Sequence, residues 1–305
     1  MKIKHIVESQ QFTVPLILEL FERTDLMKKV VARGGTKDYE KKVMASLFYK
    51  PSTRTRFSFE SAMYRLGGRI LSTEQAKEFS SEVKGELLED TIQIVANYCD
   101  AIVLRHHEEG GAQRAAAISP VPIINAGDGS GGQHPTQGLL DLYTIYNECH
   151  ALDGLSVAII GALDQGRTAR SLAYLLSKFE RIKLYFIAPD ELQIKPDILE
   201  HLDEKGVSYQ LSSNTDDIIS KVDVVYQTRI DKERLKHKEI DLTKYNIDTN
   251  VLKKMKYNSI IMHPLPRSVE INPAVDGDPR AAYFRQARNG LYVRMALLTM
   301  LFDKE

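Results

Sequence analysis

Short apolar runs, each followed by a segment of helical periodicity, recur along the chain, and this alternation constrains its fold more than any other feature. Val43-Met44-Ala45-Ser46-Leu47-Phe48-Tyr49 reads as a buried strand. Behind it Phe59, Ala62, Met63 and Leu66 stand at i, i+3, i+4 and i+7, the stripe of an amphipathic helix, and Gly67-Gly68 stops it. The pattern repeats with a strand at Arg69-Ile70-Leu71, a helix carrying Leu88, Thr91, Ile92 and Val95, and strands over 101–104 and 121–125. Pro135 opens a helix with Leu139, Leu142, Tyr143 and Tyr146 on one face. Asp153-Gly154 then punctuates the chain, and a second series begins with the strand over 155–160. Strands near 183–188, 207–211, 223–227 and 259–262 alternate with helices near 168–178, 195–205, 214–221 and 249–255. A last helix carries Leu291, Met295, Leu298 and Phe302.

Strands separated by helices imply an α/β fold with a parallel sheet flanked by helices on both faces, here twice over. At 305 residues the chain is also long for one core, so two domains are expected. The first spans 1–134, followed by a connecting helix over 135–149. The second spans 150–287, and a C-terminal helix over 288–305 packs back on the first.

Lys plus Arg and Asp plus Glu each number 41, so the net charge is zero and no global field suits nucleic acid or a membrane surface. Anion chemistry must then come from local clusters. No stretch approaches the roughly eighteen apolar residues of a membrane span, and the first thirty residues lack the apolar core of a signal peptide. The expected compartment is therefore the cytoplasm. Cys99 and Cys149 stand apart without CxxC spacing, which argues against a disulfide framework or a structural zinc site.

The densest chemistry lies in Lys50-Pro51-Ser52-Thr53-Arg54-Thr55-Arg56, between a strand and a helix. Ser52 suits the N-cap, so the amides and the positive end of the helix dipole face outward. The hydroxyls of Ser52, Thr53 and Thr55 and the forked guanidinium of Arg54 complete a pocket matched to phosphate. Arg105 ends a strand, where α/β sheets place ligand contacts. His134-Pro135-Thr136-Gln137 opens a helix. In the second half, Gly161-Ala162-Leu163-Asp164-Gln165-Gly166-Arg167-Thr168 copies P-loop spacing with Arg in place of Lys and no metal-binding carboxylate after it, which makes it a decoy for nucleotide binding. It still displays Arg167. Arg229 follows another strand, and two guanidinium forks facing one cleft would suit a dicarboxylate. His263-Pro264-Leu265-Pro266-Arg267 follows the strand over 259–262.

These motifs, in this order, resemble those of the aspartate and ornithine carbamoyltransferases across essentially the whole chain. The Ser-Thr-Arg-Thr-Arg run is similar to that family's carbamoyl phosphate loop, and His-Pro-Leu-Pro-Arg resembles its aspartate enzymes rather than its ornithine enzymes. The resemblance implies a first domain binding carbamoyl phosphate and a second binding aspartate, closing around both substrates. It implies transfer of the carbamoyl group to the L-aspartate amine, giving N-carbamoyl-L-aspartate and phosphate for pyrimidine biosynthesis, without cofactor or metal. Arg54, Thr55, Lys84, Arg105 and His134 are the implied catalytic residues. Ser52, Thr53, Ser80, Gln137, Arg167, Arg229, Asp231, Pro264 and Leu265 are the implied substrate contacts. Ser80 and Lys84 would reach into a neighbouring subunit's site, which implies a homotrimer with shared sites. A cis Leu265–Pro266 bond would aim the carbonyls of Pro264 and Leu265 at the carbamoyl nitrogen. Regulatory or dihydroorotase chains are further partners left open, and no nucleic acid or membrane partner is expected.

Two positions depart from the family pattern: Ala162, where an acidic residue is usual, and Asp231, where Gln is usual. An acid at 231 brings negative charge toward an anionic acceptor, a repulsion of about 4 kcal/mol for unit charges some 4 Å apart at an effective dielectric near 20. A carbamoyltransferase for a different amine and a non-catalytic assembly homologue therefore stand as alternatives.

Overall fold

A computed structural model describes residues 3–74, 85–129, 131–230 and 241–303. The chain divides into two compact units, one of Met1–Leu139 with Asn289–Glu305, the other of Leu140–Arg288.

The first unit holds α1 (Val14–Ala32), β1 (Val43–Phe48), α2 (Thr53–Arg65), β2 (Arg69–Glu74), α3 (Leu88–Val95), β3 (Ala101–Arg105), α4 (Gly111–Ile118) and β4 (Ile123–Asn125). Helix α5 (Pro135–Cys149) starts in it. The strands form one parallel sheet in the order β2-β1-β3-β4, with Phe48 level with Arg105. A strand covered on both faces reads as a continuous apolar run rather than an alternation, and β1 accordingly has every position from Met44 to Phe48 buried. Below the sheet, Leu88 and Ile92 of α3 and Ala115 of α4 pack on Ala45, Leu47, Ile102 and Leu104. Phe59, Ala62 and Met63 of α2 and its C-cap Leu66 are fully buried. Full burial of such a side chain stabilises by about 1.5–3 kcal/mol, so this stripe anchors the helix that carries the Ser-Thr-Arg run.

The second unit contains most of α5 and continues with β5 (Ser156–Ile160), α6 (Arg167–Leu176), β6 (Lys183–Ile187), α7 (Pro196–Glu204), β7 (Ser208–Ser212), α8 (Asp216–Ile219), β8 (Val224–Gln227), α9 (Thr249–Lys254) and β9 (Ile260–Met262). Helix α10 (Tyr283–Phe302) begins here, ahead of the expected residue 288, because Tyr283 is itself a fully buried core residue. The sheet is again parallel, in the order β7-β6-β5-β8-β9. Val157 through Ile160 are all fully buried, so both faces of its central strand are covered.

Two helices have no counterpart in the sequence reading, α1 and α4. Helix α4 is short and its buried face consists of Gly111, Ala112 and Ala115, residues too small to mark a stripe, and α1 opens on the unbroken apolar run Val14-Pro15-Leu16-Ile17-Leu18, which hides its period. Among the described residues no helix is long and apolar enough to cross a membrane.

Candidate functional site

Each sheet reverses its strand order once, between β1 and β3 in the first unit and between β5 and β8 in the second. In open α/β sheets the crevice beyond the carboxyl ends of the two strands at such a reversal is where ligands bind. Among the described candidates, Ser52 to Thr55 and Arg105 follow β1 and β3, and Arg167 and Arg229 follow β5 and β8, while His134 and Gln137 follow the edge strand β4 and Pro264 and Leu265 the edge strand β9.

In the first unit the chain leaves β1 through Tyr49, whose amide donates to Arg105 O at 2.9 Å, so the exits of β1 and β3 are tied together. Ser52 is the N-cap of α2, as expected, but its side chain makes no capping hydrogen bond. The first backbone bond of the helix runs from Arg56 N–H to Ser52 O at 3.0 Å, so the amides ahead of it lie outside the helical ladder. Thr53 and Arg54 are exposed, Ser52 is half-buried and Thr55 is buried. Packing around the Arg54 guanidinium partly desolvates it and pulls its pKa below the usual arginine value. The neighbouring Arg56 is committed elsewhere: it pairs with Glu74 at 3.0 Å and covers the Phe57 ring. Only one of the two arginines in the run is therefore presented by the turn.

Arg105 is half-buried and donates through Nη1 to Ala126 O at 2.9 Å, which ties the exit of β4 to the same place. The loop after β4 is held from within. Asp128 accepts from Gln133 N–H at 2.9 Å and Gly110 N–H at 3.2 Å, and Gln133 accepts from Ser9 N–H at 2.8 Å. Gly132 is required here, since a Cβ on it would stand 2.2 Å from Asp128 Oδ1. The loop delivers His134, buried, to the start of α5, with Thr136 Oγ1 3.4 Å from its Nδ1. Gln137, in the first turn, is buried as well. Ser80 and Lys84 lie outside the described residues.

In the second unit, the turn from β5 to α6 and the exit of β8 are stitched together. Thr228 N–H and Oγ1–H both donate to Ile160 O, at 2.7 and 3.0 Å, and Ala162 N–H donates to Arg229 O at 3.1 Å. Gly161, Leu163, Asp164 and Gly166 also donate their amides to carbonyls of this unit. A P-loop holds phosphate with such amides, so their engagement removes the nucleotide reading and leaves Arg167, half-buried at the first position of α6. Arg229 is exposed. Ala162, the departure from the family pattern, is buried against Leu192, Ile230 and Leu242, an apolar site where an acid would lack solvation.

Beyond β9 the expected cis bond is present at Leu265–Pro266, and Leu265 adopts φ +53°. His263 governs this segment. Its Nδ1 accepts from Leu265 N–H at 2.7 Å, which leaves the ring proton on Nε2, 2.9 Å from Glu270 Oε1. Burial raises the Glu270 pKa, but hydrogen bonds from His263 and from the Ser268 amide outweigh it and hold the carboxyl below its ordinary value. Pro264 and Leu265 are half-buried. Arg267 is taken up by Asp276 and by Tyr283 OH at 3.0 Å. Asp231 lies outside the described residues. Among those described, no group of three or more His, Cys, Asp or Glu is placed to hold a metal ion. Nothing in the sequence alone marks His263 and Glu270 as partners; a histidine seven residues before a glutamate is no signal without the turn that joins them.

Two family models match, "Aspartate/ornithine carbamoyltransferase, carbamoyl-P binding domain" over residues 4–147 and "Aspartate/ornithine carbamoyltransferase, Asp/Orn binding domain" over residues 153–301. The aspartate carbamoyltransferase 1, chloroplastic, of Pisum sativum is 53% identical over 98% of this chain and 79% of its own length. The aspartate carbamoyltransferase catalytic subunit of Methanocaldococcus jannaschii is 45% identical over 99% and 98%. A crystal structure of the Trypanosoma cruzi aspartate transcarbamoylase in complex with carbamoyl phosphate and aspartate superposes with a TM-score of 0.94 at 38% identity, covering 99% of this chain and 96% of that one. The expectation of a cytoplasmic compartment is corrected by the plant relatives, which are named as chloroplastic. That expectation had rested on the lack of an apolar secretory core, a feature that says nothing about a plastid.

Proposed function

The chain belongs to the aspartate/ornithine carbamoyltransferase family, and from that premise we propose how its residues divide the work. The reaction is transfer of the carbamoyl group of carbamoyl phosphate to the amine of L-aspartate, giving N-carbamoyl-L-aspartate and phosphate. The observation that carries the division is the pair of strand-order reversals, one with a hydroxyl-rich helix start and Arg105, the other with Arg167 and Arg229.

The first unit binds carbamoyl phosphate. Its phosphate sits at the start of α2 on Ser52, Thr53, Arg54 and Thr55, where amides, hydroxyls and one guanidinium suit a dianion. Arg105, Thr55 and His134 donate to the carbamoyl oxygen, the carbonyls of Pro264 and Leu265 accept from the carbamoyl nitrogen, and Gln137 is a further substrate contact. The second unit binds aspartate, its two carboxylates on Arg167 and Arg229, with Asp231 as a further proposed contact. The neutral amine attacks the carbamoyl carbon; the C–N bond forms, the carbamoyl C–O bond to phosphate breaks, and the amine proton leaves on the phosphate. Orientation supplies much of the rate, since effective molarities for well-placed reactants reach about 10⁵ M or more.

The assembly is a homotrimer in which Ser80 and Lys84 complete a neighbour's site. The exposed apolar residues around the edge of the first sheet support an intermolecular contact there: Phe57 and Tyr64 on α2 and Leu71 on β2, which directly precedes the segment bearing Ser80 and Lys84. The product serves pyrimidine biosynthesis, with regulatory or dihydroorotase chains as further partners.

The test is carbamoyl phosphate-dependent product formation by the purified chain offered aspartate and a panel of other amines. Turnover is expected with aspartate, and Arg105→Ala should lower kcat by about 10²–10³-fold, the loss typical of one donor to a developing oxyanion. Turnover of another amine instead would make Asp231 a specificity residue, and silence with every amine would favour a non-catalytic homologue.

A further inference from the structure

A run of polar side chains that the transfer chemistry does not use threads the interior of the second unit. Tyr226 stands on β8 and carries its hydroxyl three residues ahead of Arg229. That hydroxyl donates to Asp141 Oδ2 at 2.6 Å, and Gln286 Nε2 donates to Asp141 Oδ1 at 2.6 Å. Gln286 Oε1 in turn accepts from the backbone N–H of His263 at 2.8 Å. Asp141 and Tyr226 are fully buried and Gln286 is 1% exposed.

The ends of this run matter more than its middle. One end reaches the last residues of β8 before Thr228 and Arg229, and Thr228 is hydrogen-bonded to Ile160 O, where the turn that leads to Arg167 begins. The other reaches the residue that opens the Pro264-Leu265-Pro266 segment and whose ring holds Leu265 N–H. The segments that carry the proposed aspartate arginines and the segment that carries the proposed carbamoyl-nitrogen acceptors are thus joined through one carboxylate, with Tyr226 on one oxygen and Gln286 on the other. Burying a carboxylate is costly unless its acceptors are used, and an apolar core would fill the same space without that cost. A hydrogen bond has direction and length, which apolar packing lacks, so the buried run fixes spacing where packing would allow drift. Burial and the Asp141 charge raise the Tyr226 pKa well above its ordinary value, so the hydroxyl remains a donor throughout the working range.

We infer that Asp141 is a positioning residue for the acceptor amino acid, setting the place of the Arg167 and Arg229 group relative to the Pro264 and Leu265 carbonyls. It touches no substrate. The inference rests on the second unit being the aspartate side.

Tyr226→Phe removes one oxygen and opens the branch toward Arg167 and Arg229. Asp141→Asn puts an amide N–H₂ where Gln286 also donates, so the branch toward His263 breaks. Combining Asp141→Asn with Gln286→Glu reverses the polarity: the amide now donates to a carboxylate whose other oxygen still accepts the His263 N–H. With the full-length enzyme, KM for aspartate, kcat, the dissociation constant of inorganic phosphate and Tm are measured for each. Each single change should raise KM for aspartate about tenfold, the usual effect of losing one charge-assisted hydrogen bond, with phosphate affinity unchanged. The reversed pair should recover most of that loss. An unchanged KM for aspartate overturns the inference, as does a KM that moves only in step with phosphate affinity and Tm without recovery in the pair. Should Asp141→Asn fail to fold, Tyr226→Phe alone decides. Wild-type enzyme that does not turn over aspartate at all would instead overturn the reading of the second unit.

Discussion

Gly161 shows how much of a binding turn is decided by backbone alone. Its φ is +135°, and a Cβ there would lie 2.1 Å from Thr228 Oγ1 and 2.7 Å from Thr228 O. The turn that presents Arg167 and the exit that presents Arg229 can approach only because this position has no side chain. Gly161→Ala should therefore cost about 1–3 kcal/mol of stability and raise KM for aspartate, read by thermal denaturation and steady-state kinetics. A variant with wild-type Tm and KM would show that the turn tolerates separation. Residues such as Arg54, Arg105 and Arg167 were legible in the sequence because their placement follows from local rules, a cap or a strand end. Asp141 was not: its partners Tyr226 and Gln286 lie 85 and 145 positions away, and no window of sequence contains all three. The sequence singled out Arg54 of the two arginines in the run, and the structure pairs the other, Arg56, with Glu74.

Helix starts differ in what satisfies them. Asp248 caps α9 in full, its Oδ1 accepting from Asn250 N–H at 2.8 Å and Val251 N–H at 2.9 Å. At α2 and α6 no capping side chain plays that part, Ser52 and Gly166 making no such bond. Asp248→Ala should lower stability by about 1 kcal/mol, seen as a small fall in Tm, with kcat and KM for aspartate unchanged. A loss of activity in that variant would tie α9 to the half-site in a way its cap does not suggest. Elements came through the sequence unevenly. The buried strands were found to within a residue or two at most ends, because a strand covered on both faces announces itself as an apolar block. Helix α4 escaped because its buried face is glycine and alanine, too small to mark a stripe, and α10 starts at Tyr283 because tertiary burial extends it past its visible period.

At the scale of the molecule, the alternation of strands and helices foretold two parallel sheets but could not order them. The orders β2-β1-β3-β4 and β7-β6-β5-β8-β9 depend on which strand each crossover returns beside, and that is set by long-range packing. Subunit sharing belongs to this scale too. If Ser80 and Lys84 serve a neighbour's site, mixing inactive Lys84→Ala and Arg54→Ala chains should restore measurable turnover, because a mixed trimer holds a site free of both changes. No recovery after subunit exchange has been shown by mass would rule the sharing out.

Every described strand of the second sheet runs the same way, so the turns that enter the strands gather away from Arg167 and Arg229. Asp153-Gly154 and Lys205-Gly206 lie among those entering turns, exposed, and both glycines face open space. That end is where a fluorophore, an affinity handle or an inserted reporter domain can be grafted, giving an observer a view of catalysis from a seat outside it.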